Sequence, residues 1–513
     1  MAHTSRHTSI LLRTVCLLAL LAASLLPAQA QMAIRRPFIR PIQADSADME
    51  YFGRRHFWRA TAEVAGFNIG LWAFDRYVQH GDWSYINIHT IKRNFREGFK
   101  WDNDNLGTNT FLHPYNGNLY FNAGRSNGFN FWQSELFAIS GSAMWEMVME
   151  NELPSTNDII ATPIGGAVIG ETLFRASDAV LDDRTTGSER VGREVACFVL
   201  SPMRGLTRLI SGDAWRHRPT SGRIFGTPPI AMRLSAGIKI LEMQTQLHQP
   251  HLGFSAQLDL EYGNRFSVSQ RPYDYFSVTA EIQGMKMQPI LSHLEIRGRL
   301  LGRELLRKRD EHASIGLYQH FDFYDSDTID NIVKVPYKLG IPASIGAGAI
   351  YRDIERGQWR FDAYLHTNAV ILGSILSDHY RTDDRNYNWA SGFSLKGGLN
   401  LILNSDKLSM SVNNAYYRLF TWHGYRYGTD LSTVDFRHLN VQGDKSVAFF
   451  NVTEVRLDLN LYERLYATAS WTNYVRSTHY RDYPSVLSNS MNLRLMLSYK
   501  LCPPTTPPPH IAR

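Results

Sequence analysis

From about Ala231 onward, apolar and polar residues alternate in short runs. In Val455-Arg-Leu-Asp-Leu-Asn-Leu461, every second residue is apolar, and Arg456, Asp458 and Asn460 fall between. Successive side chains of a strand point to opposite faces, so this segment has one greasy face and one charged face. The same period recurs at Leu252–Leu260, Phe393–Leu401, Leu465–Trp471 and Leu493–Tyr499. Turn signals divide the region into twelve strands at approximately 231–245, 251–265, 272–287, 290–304, 311–323, 342–353, 357–372, 388–402, 407–422, 446–461, 464–477 and 488–501. Breaks fall at Tyr262-Gly-Asn-Arg265, Arg356-Gly357 and Asn404-Ser-Asp406, with longer loops at 378–388 and 423–444. An even strand number, with short turns alternating with long loops, predicts a transmembrane antiparallel β-barrel. Leu457, Leu459 and Leu495 then face lipid, while Arg456, Asp458 and Arg494 face the lumen.

Before the barrel the period changes. Phe57, Val64, Phe67, Leu71 and Phe74 recur at threes and fours, predicting a helix over Arg54–Gln79. Further helices are expected at Phe131–Glu150 and Ser155–Leu181. Ser155 with Asp158 makes a capping-box-like start, and Pro163 costs the third helix a backbone bond. Gly166-Ala-Val-Ile-Gly170 offers a small-residue face for another helix. The fold class expected is mainly β: a barrel of about twelve strands behind an N-terminal α-helical module at 51–200. Residues 31–50 and 201–230 read as linkers; Ser201-Pro202 and Pro228-Pro229 mark the second. The barrel takes 231–501.

An export signal opens the chain. Arg6 and Arg13 precede the apolar run Val15–Leu26, and Pro27-Ala-Gln-Ala30 supplies small residues for cleavage, so 1–30 reads as a signal peptide. Nothing downstream reaches the about 18 uninterrupted apolar residues of a membrane helix. The 25 Tyr and 11 Trp suit the aromatic girdles of a barrel. Mean hydropathy of −0.28 is no objection, because half of every barrel strand is polar. A net charge of +6 over 513 residues makes no case for nucleic acid. Past the signal only Cys197 and Cys502 remain, too few for a disulfide framework. Residues 502–513 form a Pro-rich tail.

Candidate chemistry lies in the helical module. Glu135 and Glu146 are eleven positions apart, about 20° on one continuous helix. A carboxylate among Trp145, Met147 and Val148 needs a partner, for which His113, Arg125 and Arg175 are available. His113, Glu146 and Asp158 are the candidates for acid–base work or metal binding. Tyr115, Asn122, Arg125, Glu135, Asn157, Glu171 and Arg175 make up a wider structural polar cluster. Glu171 and Arg175, four apart, read as a helix-surface ion pair. Without a nucleophile elbow, zinc-spaced motif or phosphate loop, the cluster is weighted towards structure, and no metal or cofactor is assigned. His293, His312, His320 and His366 share no spacing and read as lumen or rim residues. Asp102-Asn-Asp104 lacks the glycine and distal glutamate of an EF-hand and reads as a solvated turn.

The stretch His113-Pro-Tyr-Asn-Gly117, Leu119-Tyr-Phe-Asn-Ala-Gly-Arg125, Asn127-Gly128, Gly141-Ser142, Trp145-Glu146, Pro154-Ser155, Asn157-Asp158, Gly165-Gly166 and Gly170-Glu171 resembles the bacterial family catalogued as domain of unknown function 3943, over about 95–185. The resemblance implies an exported envelope protein whose helical module precedes or plugs a β-rich region. That family often carries His where this chain has Asn116, which argues against a two-histidine metal site. A second similarity is to VanZ-like membrane proteins, in which a His, a helix-borne Glu and an Asp opening a glycine-containing helix recur.

The expectation for function is an outer-membrane pore, transport or envelope-maintenance protein with the helical module as plug or periplasmic gate. An envelope lipid- or lipopolysaccharide-modifying enzyme and an assembly protein are the alternatives. Expected partners are outer-membrane lipids, the barrel-assembly machinery, and an envelope glycolipid or small molecule.

Overall fold

The computed structural model describes residues 44–502, apart from 244–250, 269–270, 309–310, 329–334, 354–358, 383, 404–405 and 436–438. The export signal, the Pro-rich tail after Cys502, the Arg356-Gly357 turn and residues 404–405 lie outside the described residues. Two compact units form. Among the described residues, one holds 44–99 together with His113–Pro229; the other holds Lys100–Leu112 together with 230–502.

The second unit is a closed barrel of twelve strands: β1 (Ile230–Met243), β2 (His251–Tyr262), β3 (Phe276–Gly284), β4 (Leu291–Arg307), β5 (Glu311–Asp325), β6 (Lys338–Asp353), β7 (Trp359–Leu376), β8 (Tyr387–Leu403), β9 (Leu408–Thr421), β10 (Ser446–Tyr462), β11 (Leu465–Tyr480) and β12 (Val486–Cys502). Each pairs antiparallel with the next, and β1 closes on β12, with Ile238 opposite Leu495. Alternation sets the two faces. Leu457, Leu459 and Leu495 are exposed on the outside, while Arg456, Asp458 and Arg494 are buried on the inside. Tyr462, Tyr499 and Trp359 stand exposed at the short-turn ends of β10, β12 and β7, where a membrane barrel carries an aromatic girdle.

Two strands depart from their expected bounds for visible reasons. β3 is confined to Phe276–Gly284 because Tyr273 and Met287 flank it at φ 61°, a left-handed conformation that ends a strand. β6 starts at Lys338, earlier than the expected 342, because Pro342 lies in the bulge between Gly340 and Ala343, where no ladder donor is required.

The lumen is filled by strand side chains. Tyr324, Tyr337, Tyr417, Phe450 and Tyr474 cluster with Leu339 and Ile341 near the long-loop end. Below them the inward charges are paired: Arg494 with Glu281 at 2.6 Å, Lys239 with Glu281 at 2.7 Å, and Arg233 with Asp259 at 2.8 Å and Asp458 at 3.0 Å.

Residues 100–112 lie against the outer wall. Gly340 pairs with Ser374, and Ser374 with Trp389, so these three point to one side. Asn388 and Ala390 alternate with Trp389 and turn inward, so Trp389 and Tyr387 face out. Trp101 packs on Trp389 with ring centroids 6.1 Å apart, and Asn109 Nδ2 donates to Tyr387 Oη at 2.7 Å. Asn109 Nδ2 also donates to Asp102 Oδ1 at 2.7 Å. Asp102 is therefore built into this packing rather than into the solvated turn expected of it.

The first unit is helical: α1 (Ser46–Phe52), α2 (Phe57–Phe74), α3 (Ile88–Glu97), α4 (His113–Ser126), α5 (Phe131–Met144), α6 (Asp158–Val180), α7 (Gly187–Leu200) and α8 (Pro202–Ser211). α2 and α5 each run into one turn of π-helix, at Asp75–Gln79 and Trp145–Met149. The expected linker at 31–50 ends in α1, capped by Asp45, whose carboxylate accepts from Ala47 N at 2.8 Å. The expected linker at 201–230 opens with α8, where Pro202 takes the first helical position, one at which its missing N–H costs nothing. α6 continues through Pro163 as one helix, and Ser155 Oγ accepts from Asp158 N at 3.2 Å at its start. Of the apolar residues whose spacing predicts α2, Val64 is buried and Phe67 and Leu71 are half-buried, while Phe57 and Phe74 at its two ends are exposed; Ala60, Glu63 and Asn68 are buried beside Val64.

Placing an arginine on the lipid face of a barrel costs about 2–4 kcal/mol near the midplane, whereas lumen substitutions are tolerated. Leu457→Arg is expected to reduce the heat-modifiable, folded fraction in outer membranes far more than Asp458→Asn. Equal losses would mean that the Leu457 face is a core.

Candidate functional site

The helical module is assembled around a backbone contact. A Cβ on Gly166 would lie 2.5 Å from the Gly117 carbonyl carbon, and one on Gly117 would overlap the Thr162 carbonyl. Only glycine at both positions lets α4 and α6 touch along their backbones. An asparagine amide fastens the same seam: Asn122 Nδ2 donates to Asn118 Oδ1 at 2.7 Å and across to Gly170 O at 3.2 Å. A second, Asn68 Nδ2, ties α2 to α5 by donating to Gly141 O at 3.1 Å.

Glu171 is fully buried and receives two arginines, Arg125 Nε at 2.6 Å and Arg175 Nε at 2.8 Å. The Glu171–Arg175 pair therefore belongs to the interior, contrary to the surface reading, because Arg125 reaches across from α4 to complete a triad. Both arginines serve Glu171.

The three candidates for chemistry meet at the start of α6. His113 Nε2 stands 3.7 Å from Asp158 Oδ2, and Asn157 Nδ2 donates to Asp158 Oδ1 at 3.0 Å. Glu146 is buried and its Oε2 accepts from Ser155 N at 2.7 Å, while Ser155 Oγ accepts from Asp158 N, so Ser155 links the two carboxylate residues. Ser142 Oγ donates to the Asp158 carbonyl at 3.4 Å. Glu135 does not share this place. The π turn at Trp145–Met149 breaks the continuous α-helical phase that put Glu135 and Glu146 on one face. Tyr115 lies on α4, where its carbonyl accepts from Asn118 Nδ2 at 3.3 Å.

A second site, in the lumen, has no counterpart in the sequence reading. Lys396 Nζ is hydrogen-bonded to Asp322 Oδ1 and lies 3.3 Å from Glu295 Oε1 and 3.3 Å from His320 Nδ1. An ammonium can only donate, so His320 Nδ1 accepts and its Nε2 carries the proton. That Nε2 then donates to His366 Nδ1 at 3.1 Å. Tyr318 packs on His366 with ring centroids 4.4 Å apart. Glu295, His320 and Asp322 have metal-ligand chemistry and spacing, and the Lys396 ammonium supplies the positive charge between them. Of the other histidines, His293 stacks on Tyr324 at 4.3 Å and His312 sits against Phe266 at 5.7 Å.

The seam, the triad and the His113–Asp158 pair all fall within one stretch of sequence. Residues 98–203 match the model of the family DUF3943, a domain of unknown function. Its glycines and asparagines hold α4 to α6, and its buried charges sit at the ends of those helices. No curated protein matches the chain. Among solved structures, the chain is similar to the NanC porin, at 9% identity, covering 53% of this chain and all of that one, with a TM-score of 0.27. It is also similar to the KdgM porin, at 9% identity over 52% of this chain and 98% of that one, TM-score 0.22. A third is the toluene transporter TodX of Pseudomonas putida, at 7% identity over 54% and 90%, TM-score 0.21. The barrel assignment stands on its own strand pairing, apart from these likenesses.

If the DUF3943 seam is a backbone contact, any added atom must part the helices. Overpacking of this kind costs typically about 1–3 kcal/mol. Gly117→Ala is expected to lower the unfolding midpoint of the detergent-solubilised chain, while Gly192→Ala, where nothing lies within 4 Å, leaves it unchanged or raises it. Glu171→Gln leaves the buried Arg175 and the half-buried Arg125 without their carboxylate, and its loss should approach the about 3–5 kcal/mol typical of a broken buried pair. Equal midpoints for Gly117→Ala and Gly192→Ala would remove the seam from the account.

Proposed function

We propose that the chain is an outer-membrane protein providing a polar route through the barrel that its own side chains close at rest. The observation carrying this reading is the paired, dehydrated lumen. Lys396, Asp322, Glu281 and Arg494 are each buried to 3% exposure or less, although they lie in a conduit lined with charge. Hydrophobic side chains would fill such a space at lower desolvation cost. Charges kept there suit a path for polar solutes or ions, as in pores whose selectivity is set by rings of charged side chains. The aromatic cluster around Phe450 and Tyr474 is the closure on the long-loop side.

In planar bilayers the wild-type chain is expected to show little conductance, and the double variant Phe450→Ala, Tyr474→Ala a clear increase. Lys396→Ala in the opened background should shift ion selectivity toward cations, since it removes a positive charge from beside Asp322 and Glu295. An opened double variant that assembles, shows heat-modifiable mobility and still does not conduct would end the proposal.

A second reading, an enzyme acting on an envelope lipid, draws on the His113–Asp158 approach at 3.7 Å, with the His113 side chain still 18% exposed and so reachable. On that reading Glu146→Gln and His113→Ala leave folding intact and alter the envelope lipids of the strain. On a purely structural reading, any phenotype tracks the loss of folded protein.

A further inference from the structure

The helical module is built with its polarity reversed. On α8, Arg204 and Arg208 are buried, whereas Leu206, Leu209 and Ile210 are exposed. The arginines are paired inward: Arg204 with Asp178 at 2.7 Å, and Arg208 with Asp183 at 2.7 Å and Glu194 at 2.8 Å. α2 repeats the arrangement. Its two charged residues are Glu63, which is buried, and Arg59, whose Nε donates to Asn127 Oδ1. Its exposed positions are Phe57, Trp58, Ala62, Gly66, Ile69, Gly70 and Phe74, none of which carries charge. α5 packs beside α2, with Phe57 and Phe137 rings 6.0 Å apart, and exposes Trp132, Leu136 and Ile139 at the i, i+4, i+7 spacing of one stripe.

A helix on a water-soluble domain puts charge outward and apolar residues inward. Four observations run the other way together: inward arginines with inward partners, outer faces without charge on α2 and α5, outward leucines on α8, and a glycine-and-asparagine seam between α4 and α6. Small residues and side-chain amides at helix interfaces, with ionisable groups turned to the bundle interior, are what hydrocarbon selects, because apolar side chains gain nothing there by hiding from their surroundings.

We propose that the exposed faces of α2, α5 and α8 contact lipid hydrocarbon, so that the DUF3943-containing module is itself a membrane-embedded helical bundle. The occupant is the acyl-chain region of a bilayer. The inference rests on the membrane reading of the barrel, and its test carries a separate control for that reading.

The full-length protein is reconstituted in phosphatidylethanolamine–phosphatidylglycerol vesicles carrying a phospholipid with a photoactivatable diazirine on its acyl chain. Labelled residues are mapped by mass spectrometry, in parallel with hydroxyl-radical footprinting from the aqueous phase. The expected result is acyl-chain label at Trp58, Ile69, Trp132, Leu136 or Leu209, together with label at Leu457 and Leu459 of the barrel. Trp58 and Trp132, which are 80% and 52% exposed, should then be protected from radical oxidation. Label on the barrel with Trp58 and Trp132 oxidised and unlabelled overturns the inference and leaves the barrel reading standing. Label on neither removes the membrane reading as well. Protection of both tryptophans without lipid label also overturns it, in favour of a protein partner. Leu136→Arg and Ile210→Arg, at exposed positions where a soluble domain would accept charge, are expected to prevent membrane assembly of the module. Wild-type accumulation and protease resistance of both variants would overturn the inference independently.

Discussion

Closure of β1 on β12 is the constraint from which the rest of the barrel follows. A sheet in hydrocarbon cannot leave an edge, because each unpaired N–H or C=O there costs several kcal/mol. Once the ring closes, the period of two assigns every side chain to lipid or lumen with no third option. The inward residues Lys239, Lys396, Arg456 and Arg494 are buried, so they have little water to solvate them. They survive by pairing. Arg233, Arg456, Asp259 and Asp458 form one such square, with separations from 2.8 to 3.3 Å, and the Lys396 cluster forms another.

This explains why so much of the barrel was legible in the sequence. Alternation at Val455–Leu461 is a consequence of closure, so reading it recovers strand and face together. Where the reading of strand ends failed, a local backbone term had prevailed. Tyr273 and Met287 end β3 at positive φ, a conformation for which neither residue type gives a warning. Pro342 reads as a breaker and is accommodated at a bulge. The Lys396 cluster was invisible for a different reason. His320 and His366 are 46 positions apart and Lys396 and Asp322 are 74 apart, so no spacing rule relates them. The signal that could have found them is registry. Once strands are paired in order, the inward-facing ionisable residues at one level become neighbours.

The helical module was legible in its elements and not in its orientation. Helices near Arg54–Gln79, Phe131–Glu150 and Ser155–Leu181 have counterparts in α2, α5 and α6. Spacing alone did not say which residues of α2 would be inside: Val64 is buried, but so are Glu63 and Asn68, while Phe57 and Phe74 are exposed. A search for a long uninterrupted apolar run finds none here, because Glu171 and Arg175 interrupt even Asp158–Val180, the one helix among the described residues long and apolar enough to cross a membrane. Such a count treats each charge as a charge to be solvated. It cannot register that Arg204 and Arg208 are turned away from the surface and neutralised within 3 Å.

The two units therefore obey one rule by different means. In the barrel, backbone hydrogen bonds between strands free the outer face to be apolar, and the lumen takes the charge. In the module, helices satisfy their own backbones, and the contact between α4 and α6 must be held by something other than the expulsion of water. The Gly117–Gly166 approach supplies dispersion contact at backbone distance, Asn122 adds an amide bond to the Gly170 carbonyl, and Asn68 does the same between α2 and α5 at the Gly141 carbonyl. If the seam relied on the hydrophobic effect, Leu206, Leu209 and Ile210 would be the residues placed in it. They are instead on the outside, and the polar groups carry the contact. That ordering has a physical rationale where the surroundings are as apolar as leucine, and the DUF3943 glycines, asparagines and buried Glu171 triad are then the parts of the module that specify its fold.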